Sequence, residues 1–191
     1  MTKFVYDFTE GDRTMSELLG GKGANLAEMT RLGLPVPPGF TITTDACKAF
    51  LAEGKAPDGM AAQVATAMAA TEARSRRHFG DAADPLLVSV RSGAKFSMPG
   101  MMETVLNIGL NDETVVGQAK VTNNERFAFD SYRRLIAMFG KTVMGIESEH
   151  FESALELVKQ KVGAKHDVDL SADDLREVIK HYKEIFRKNT G

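Results

Sequence analysis

Two stretches of this sequence join a permissive backbone to isolated positive charge, the combination that phosphate binding requires. The first is Gly20-Gly21-Lys22-Gly23-Ala24-Asn25. Glycines let the main chain approach a ligand closely. A helix starting here offers free N–H groups and a partial positive charge, and Lys22 adds a point charge. The stretch is not a Walker A loop, because Ser16 stands where that motif has its first glycine and Gly23 where it has Ser or Thr. The plain alternative is a glycine-rich helix start with a surface lysine.

The second stretch runs from Ser89-Val90-Arg91-Ser92-Gly93-Ala94-Lys95-Phe96 through Ser97-Met98-Pro99-Gly100-Met101-Met102-Glu103-Thr104. A strand that ends in arginine is followed by a loop of small residues with a second cation, Lys95. The arginine fork can bond two phosphate oxygens. Phe96, Met98, Met101 and Met102 could shield a ligand from water. On chemistry alone, an Arg91–carboxylate pair beneath a methionine-rich packed loop remains equally open.

Other chemistries find less support. His78, His150, His166 and His181 lack the spacing of a metal or catalytic motif. Glu147, Glu149 and Glu152 read as the solvated start of a helix. Cys47 is the only cysteine, which excludes an internal disulfide and fits a reducing compartment. The formal net charge is −2, and it is evenly spread: residues 1–111 carry 11 basic and 12 acidic side chains, residues 112–191 carry 13 and 14. That balance argues against nucleic acid as a partner. No apolar run approaches the roughly 18 residues of a membrane span, and no signal peptide is visible. A cytoplasmic protein is expected.

The elements that must position these residues change character near residue 111. All six prolines and 12 of the 17 glycines lie before it, so residues 1–111 read as a mixed α/β part and residues 112–191 as a helical part. In the first part the pattern predicts a helix over about 22–32 closed by Gly33, then an extended proline loop to Gly39. A strand over 40–43 and a helix capped by Thr44 or Asp45 through Leu51 come next. A helix over 61–79, a buried strand over 86–91 and a further strand over 104–108 complete this part. In the second part, helical stripes run through Tyr132, Leu135, Ile136 and Phe139, and through Phe151, Leu155, Val158 and Val162. The clearest joins Leu175, Val178, Ile179, Tyr182, Ile185 and Phe186, with Ser171 or Asp169 at its start. Core packing accounts for all three stripes.

Together the two charged stretches carry a resemblance. Leu19-Gly20-Gly21-Lys22-Gly23-Ala24-Asn25-Leu26-Ala27-Glu28-Met29 and Gly33-Leu34-Pro35-Val36-Pro37-Pro38-Gly39-Phe40 resemble the opening shared by phosphoenolpyruvate synthase and pyruvate phosphate dikinase. Val88-Ser89-Val90-Arg91-Ser92-Gly93-Ala94 and Met98-Pro99-Gly100-Met101-Met102-Glu103-Thr104-Val105-Leu106-Asn107 look like the pyruvate phosphate dikinase family in particular. The helical stretch from Arg126 through Gly145 is similar as well, and the resemblance covers about 3–190.

The resemblance implies an incomplete ATP-grasp domain: an α/β (α+β) subdomain followed by a small all-helical one. It implies ATP contacts by Lys22, Arg91, Lys95, Gly100, Met101 and Met102. The enzymes of this family convert ATP, phosphate and pyruvate to AMP, pyrophosphate and phosphoenolpyruvate. They do so through a phosphohistidine domain and a C-terminal barrel, with magnesium held by carboxylates outside this sequence. The expected partners are therefore ATP and the remainder of such an enzyme. No catalytic residue and no metal ligand is assigned here, and the chain alone is expected to be inactive. Three readings follow: a fragment with half an ATP site, a stand-alone binding or regulatory module, or a structural domain that has lost nucleotide function. Intact Lys22, Arg91 and Met98-Pro99-Gly100 weigh against the third.

Overall fold

The computed structural model describes residues 2–93 and 104–191. In chain order the elements are β1 (Val5–Asp7), α1 (Ser16–Arg31), β2 (Phe40–Ile42), α2 (Thr44–Glu53), α3 (Met60–Ser75), β3 (Val88–Arg91), β4 (Thr104–Ile108), α4 (Thr114–Thr122), α5 (Glu125–Thr142), α6 (Ser148–Val162) and α7 (Ala172–Thr190). Short 3-10 turns cover Arg13–Met15 and Asp167–Asp169. The chain is thus mixed α and β, with two small sheets. No strand follows Ile108 among the described residues. Nor is any helix there long and apolar enough to cross a membrane.

The described residues form two compact units. The first takes in the chain up to Arg77 together with Ser92 and Gly93, and the second takes His78–Arg91 and the chain from Thr104 onward. These divisions fall elsewhere than the compositional shift near residue 111, because the β3–β4 hairpin packs with the helices that follow it.

In the first unit β1 pairs antiparallel with β2 in the register Val5↔Ile42, Tyr6↔Thr41, Asp7↔Phe40. The outer side of β1 is satisfied by Gln63 of α3, whose Oε1 accepts from Phe4 N (2.7 Å) and Val5 N (3.2 Å). A side-chain amide here replaces a third strand. Arg74, in the last turn of α3, forks onto the Asp7 carboxylate, with Nη1 to Oδ1 at 2.9 Å. The Arg74 hydrogen bonds hold the Asp7 pKa at about 2, against the opposing effect of burial. The buried side of α1 is Leu19, Ala24 and Ala27, packed with Tyr6, Met15 and Leu18.

Three helix boundaries differ from the pattern. α1 begins six residues early, at Ser16. α2 is capped by Thr43, whose hydroxyl accepts from Ala46 N at 3.3 Å. α3 stops at Ser75, since Arg76 is left-handed (φ 56°), so Phe79 is not helical.

In the second unit β3 and β4 form an antiparallel hairpin with a bulge between Val88 and Val90. The expectation of a buried strand over 86–91 is corrected: Val90 is 58% exposed, and within that span only Leu86, before β3, is buried. Among the described residues β3 pairs with β4 alone, and it is β4 that sends Val105 into the core. α5 is the centre of this unit, with α4, α7 and β4 packed on it. Ala128, Leu175 and Val178 are fully enclosed. Gly140 is required by closeness, because a Cβ there would lie 2.5 Å from the Phe151 ring. α7 starts at a capping box in which Ser171 and Asp174 satisfy each other's main-chain N–H.

Two arginines of α5 hold the link between α6 and α7. Arg126 donates to the carbonyls of Leu170 (2.9 Å) and Asp167 (2.8 Å). The buried Arg133 bonds Asp130 (2.8 Å) and the Asp167 carboxylate (2.9 Å).

Candidate functional site

The glycine run divides α1. Gly20 has φ 68° and ψ 164°, a conformation that interrupts the helix and that only glycine adopts without strain. A new helical segment therefore begins at Gly21, and its first N–H groups lack helical acceptors. The partial positive charge of that segment falls on Gly21, Lys22 and Gly23. The helix start read from the sequence at about residue 22 is this second segment.

The three motif glycines do different jobs. Gly23 is buried, and a Cβ there would sit 2.7 Å from Thr41 Cγ2 and 2.8 Å from Thr41 Oγ1. It lets α1 lie close on β2, which is a packing role and not an approach to a ligand. Gly20 sets the break, and Gly21 opens the new segment.

Lys22 is half-buried, and its Nζ donates to the Ser92 carbonyl oxygen at 3.0 Å, within the first unit. Ser92 was not singled out by the sequence, and its contribution is a main-chain oxygen that no residue type announces. Thr44, just beyond β2, donates to the Glu17 carbonyl at 2.6 Å and ties the start of α2 to the first turn of α1. Arg91 ends β3, is exposed, and is paired in register with Thr104. It belongs to the second unit and Lys22 to the first. Lys95, Gly100, Met101 and Met102 lie outside the described residues, as do Phe96, Met98 and Pro99.

The remaining candidates are spread out. His150 and His166 are exposed. His181 lies 3.8 Å from Glu177 and 3.7 Å from Glu184. Glu147, Glu149 and Glu152 are exposed at the start of α6. Among the described residues no three or more His, Cys, Asp or Glu side chains gather as metal ligands. These residues therefore do not fit a magnesium site. A cavity of about 510 Å³ opens between β1 and α3, and one of about 340 Å³ opens beside α5 and α7. Neither is lined by Lys22 or Arg91.

Comparison with known proteins gives this geometry a family. Residues 16–74, which include the broken helix and Lys22, match the family described as pyruvate phosphate dikinase, AMP/ATP-binding domain. The pyruvate, phosphate dikinase of Clostridium symbiosum is 50% identical over 189 residues, covering 98% of this chain and 22% of that protein. The chain is homologous to the N-terminal part of pyruvate, phosphate dikinase. The dikinase of Entamoeba histolytica is 52% identical over 187 residues, covering 97% of this chain and 21% of its own length. Pyruvate, phosphate dikinase 1, chloroplastic, of Arabidopsis thaliana is 50% identical over 184 residues, covering 96% and 19%. The chain thus spans about a fifth of the length of these dikinases.

Proposed function

We propose that this chain is the first nucleotide-holding part of a dikinase that makes phosphoenolpyruvate, pyrophosphate and AMP from pyruvate, phosphate and ATP. The observation that carries this reading is the 50% identity along 98% of the chain, joined to an AMP/ATP-binding match that spans Lys22. In this reading the fold is the opening of an ATP-grasp domain. Residues 1–111 supply the phosphate contacts and residues 112–191 are a helical scaffold. Lys22 and Arg91 contact the nucleotide's phosphates, and the loop from Lys95 to Met102, with Gly100 and Met101, covers them. Phosphoryl transfer depends on positioning and charge neutralisation more than on covalent help from the protein. The helix restart at Gly21 supports the assignment, because it directs unsatisfied N–H groups and helix-end charge to the place where Lys22 stands.

The rest of such an enzyme, with its phosphohistidine, its barrel and its magnesium ligands, lies beyond the span matched here. The chain on its own forms no phosphoenolpyruvate. Cations that face water keep only about 1 kcal/mol per contact at 4 Å, so ATP binds this chain with a dissociation constant of about 1 mM or weaker. In this reading the location is cytoplasmic, while the Arabidopsis relative is chloroplastic by name.

Calorimetry tests the reading. The chain is titrated with ATP, alone and after extension with the sequence that follows the matched span in the Clostridium symbiosum dikinase. Extension tightens binding, and Lys22→Met and Arg91→Ala each weaken it about tenfold or more, the loss expected for one charge-assisted phosphate contact. Undiminished binding by both variants would remove these residues from the site. Tight magnesium-dependent binding by the 191-residue chain would show that nothing beyond it is needed.

A further inference from the structure

The cavity of about 340 Å³ beside α5 and α7 has no part in the nucleotide reading. Its walls are Leu110, Tyr132, Ile136, Phe139, Lys183 and Phe186, all of the second unit. The Phe139 and Phe186 rings stack with centroids 6.4 Å apart, and Phe139 is 37% exposed. The polar groups beside it are already matched. Lys183 pairs with Asp112, the Tyr132 hydroxyl donates to Asp112 at 3.3 Å, and the Lys183 ammonium lies 5.4 Å from the centre of the Tyr132 ring. A mostly apolar groove whose few polar groups are paired with one another suits a protein contact. It offers no unpaired charge for a small ion.

The position of the groove narrows the occupant. Phe186 lies in the last turns of α7, five residues before Gly191. At about 1.5 Å per residue, polypeptide continuing from α7 emerges about 7.5 Å from the groove. In the Clostridium symbiosum dikinase the span matched here is 22% of the protein, so ample further polypeptide is available. We infer that the groove beside α5 and α7 receives an apolar side chain from the polypeptide that follows α7 in the dikinases. This rests on the homology and not on the assignment of Lys22 and Arg91, so either idea can fail alone.

Thiol labelling tests it. Phe139→Cys is made in a Cys47→Ser background, because Cys47 is itself exposed. Labelling is timed in the 191-residue chain and in the chain extended by the sequence that follows the matched span in the Clostridium symbiosum dikinase. Val168→Cys, at a position 70% exposed, is the control in both. Labelling at position 139 slows about tenfold or more on extension, as for a contact of ordinary strength, while position 168 is unaffected. Lys183→Cys gives a second thiol at the same groove, should truncation of Phe139 disturb the fold. Equal rates at the groove positions in both chains would overturn the inference. So would equal slowing at position 168. Slow, concentration-dependent labelling of the unextended chain would also overturn it, by assigning the groove to a second copy.

Discussion

Gly23→Ala separates two reasons for a glycine in the Gly20–Asn25 stretch. If Gly23 serves ligand approach, alanine leaves the fold intact and harms only binding. The structure places the added methyl 2.7 Å from Thr41 Cγ2, 2.8 Å from Thr41 Oγ1 and 3.3 Å from Leu19 Cβ. Thr41 is β-branched and stiff about χ1, and it is held in the β1–β2 ladder opposite Tyr6. The helix cannot simply retreat, because Ala24 and Ala27 are buried on the same side. Overpacking of this kind costs about 1–3 kcal/mol, and the better helix propensity of alanine returns about 1 kcal/mol at most. A mid-range cost of about 2 kcal/mol less a return of about 1 kcal/mol leaves a net loss of about 1 kcal/mol. With a denaturant slope of about 1 kcal/mol/M for a unit of this size, the urea midpoint falls by about 1 M. The assay is urea unfolding followed through the NMR signals of α1 and β2. Thr41→Ala removes both clashing atoms, so the double variant recovers about 1 kcal/mol relative to additivity. An unchanged or raised midpoint in Gly23→Ala, or strict additivity with Thr41→Ala, would refute the packing argument.

Two further outcomes are expected. Asp7 has its pKa lowered from 3.8 to about 2, chiefly by hydrogen bonds from Arg74. A depressed acid contributes stability in full above its unfolded value, and that stability is lost as pH falls from about 4 toward 2. The Arg74 side chain is 38% exposed, so solvent screening limits the loss to about 1 kcal/mol. NMR titration of the Asp7 carboxyl checks this, and an unmoved pKa in Arg74→Met would contradict it. Ser171→Ala removes the hydroxyl that accepts from Asp174 N at 3.2 Å. It costs about 1 kcal/mol and lowers the melting temperature of the second unit by about 4–8 °C. Ser171→Asp, which also caps, keeps most of it, and equal melting of the two variants would count against the cap.

The long helices were legible because their burial is periodic. The stripes through Tyr132, Phe151 and Leu175 lie in α5, α6 and α7, and Ser171 caps as its type suggests. β4 was legible because Val105, Leu106 and Ile108 make a short run rich in strand-forming apolar residues. α4 was not, since its Gly117 is buried against the Ala82 carbonyl and breaks the apolar pattern. β1 has only three residues and depends on β2 and Gln63, contacts that no local window contains. The exposure of β3 depends on how many strands join the sheet, which periodicity does not report. At the candidate site, the sequence located Lys22 at a helix start because glycine and charge announce it. It could not reveal that Gly20 breaks a longer helix, that Gly23 faces Thr41, or that a main-chain oxygen meets the lysine.

The arginine grip on the α6–α7 link bears on how chain length can vary among relatives. Lys165 and His166 stand in solvent, and lengthening a surface turn is cheap, about 0.6 kcal/mol for each doubling. The next four residues differ, since one guanidinium, that of Arg126, spans the carbonyls of both Asp167 and Leu170. A residue inserted between those two positions parts acceptors that a rigid fork must reach together, and it moves the Asp167 carboxylate away from Arg133. Insertions should therefore accumulate before residue 167 and be absent from 167–170, a boundary one residue wide within a single short connection.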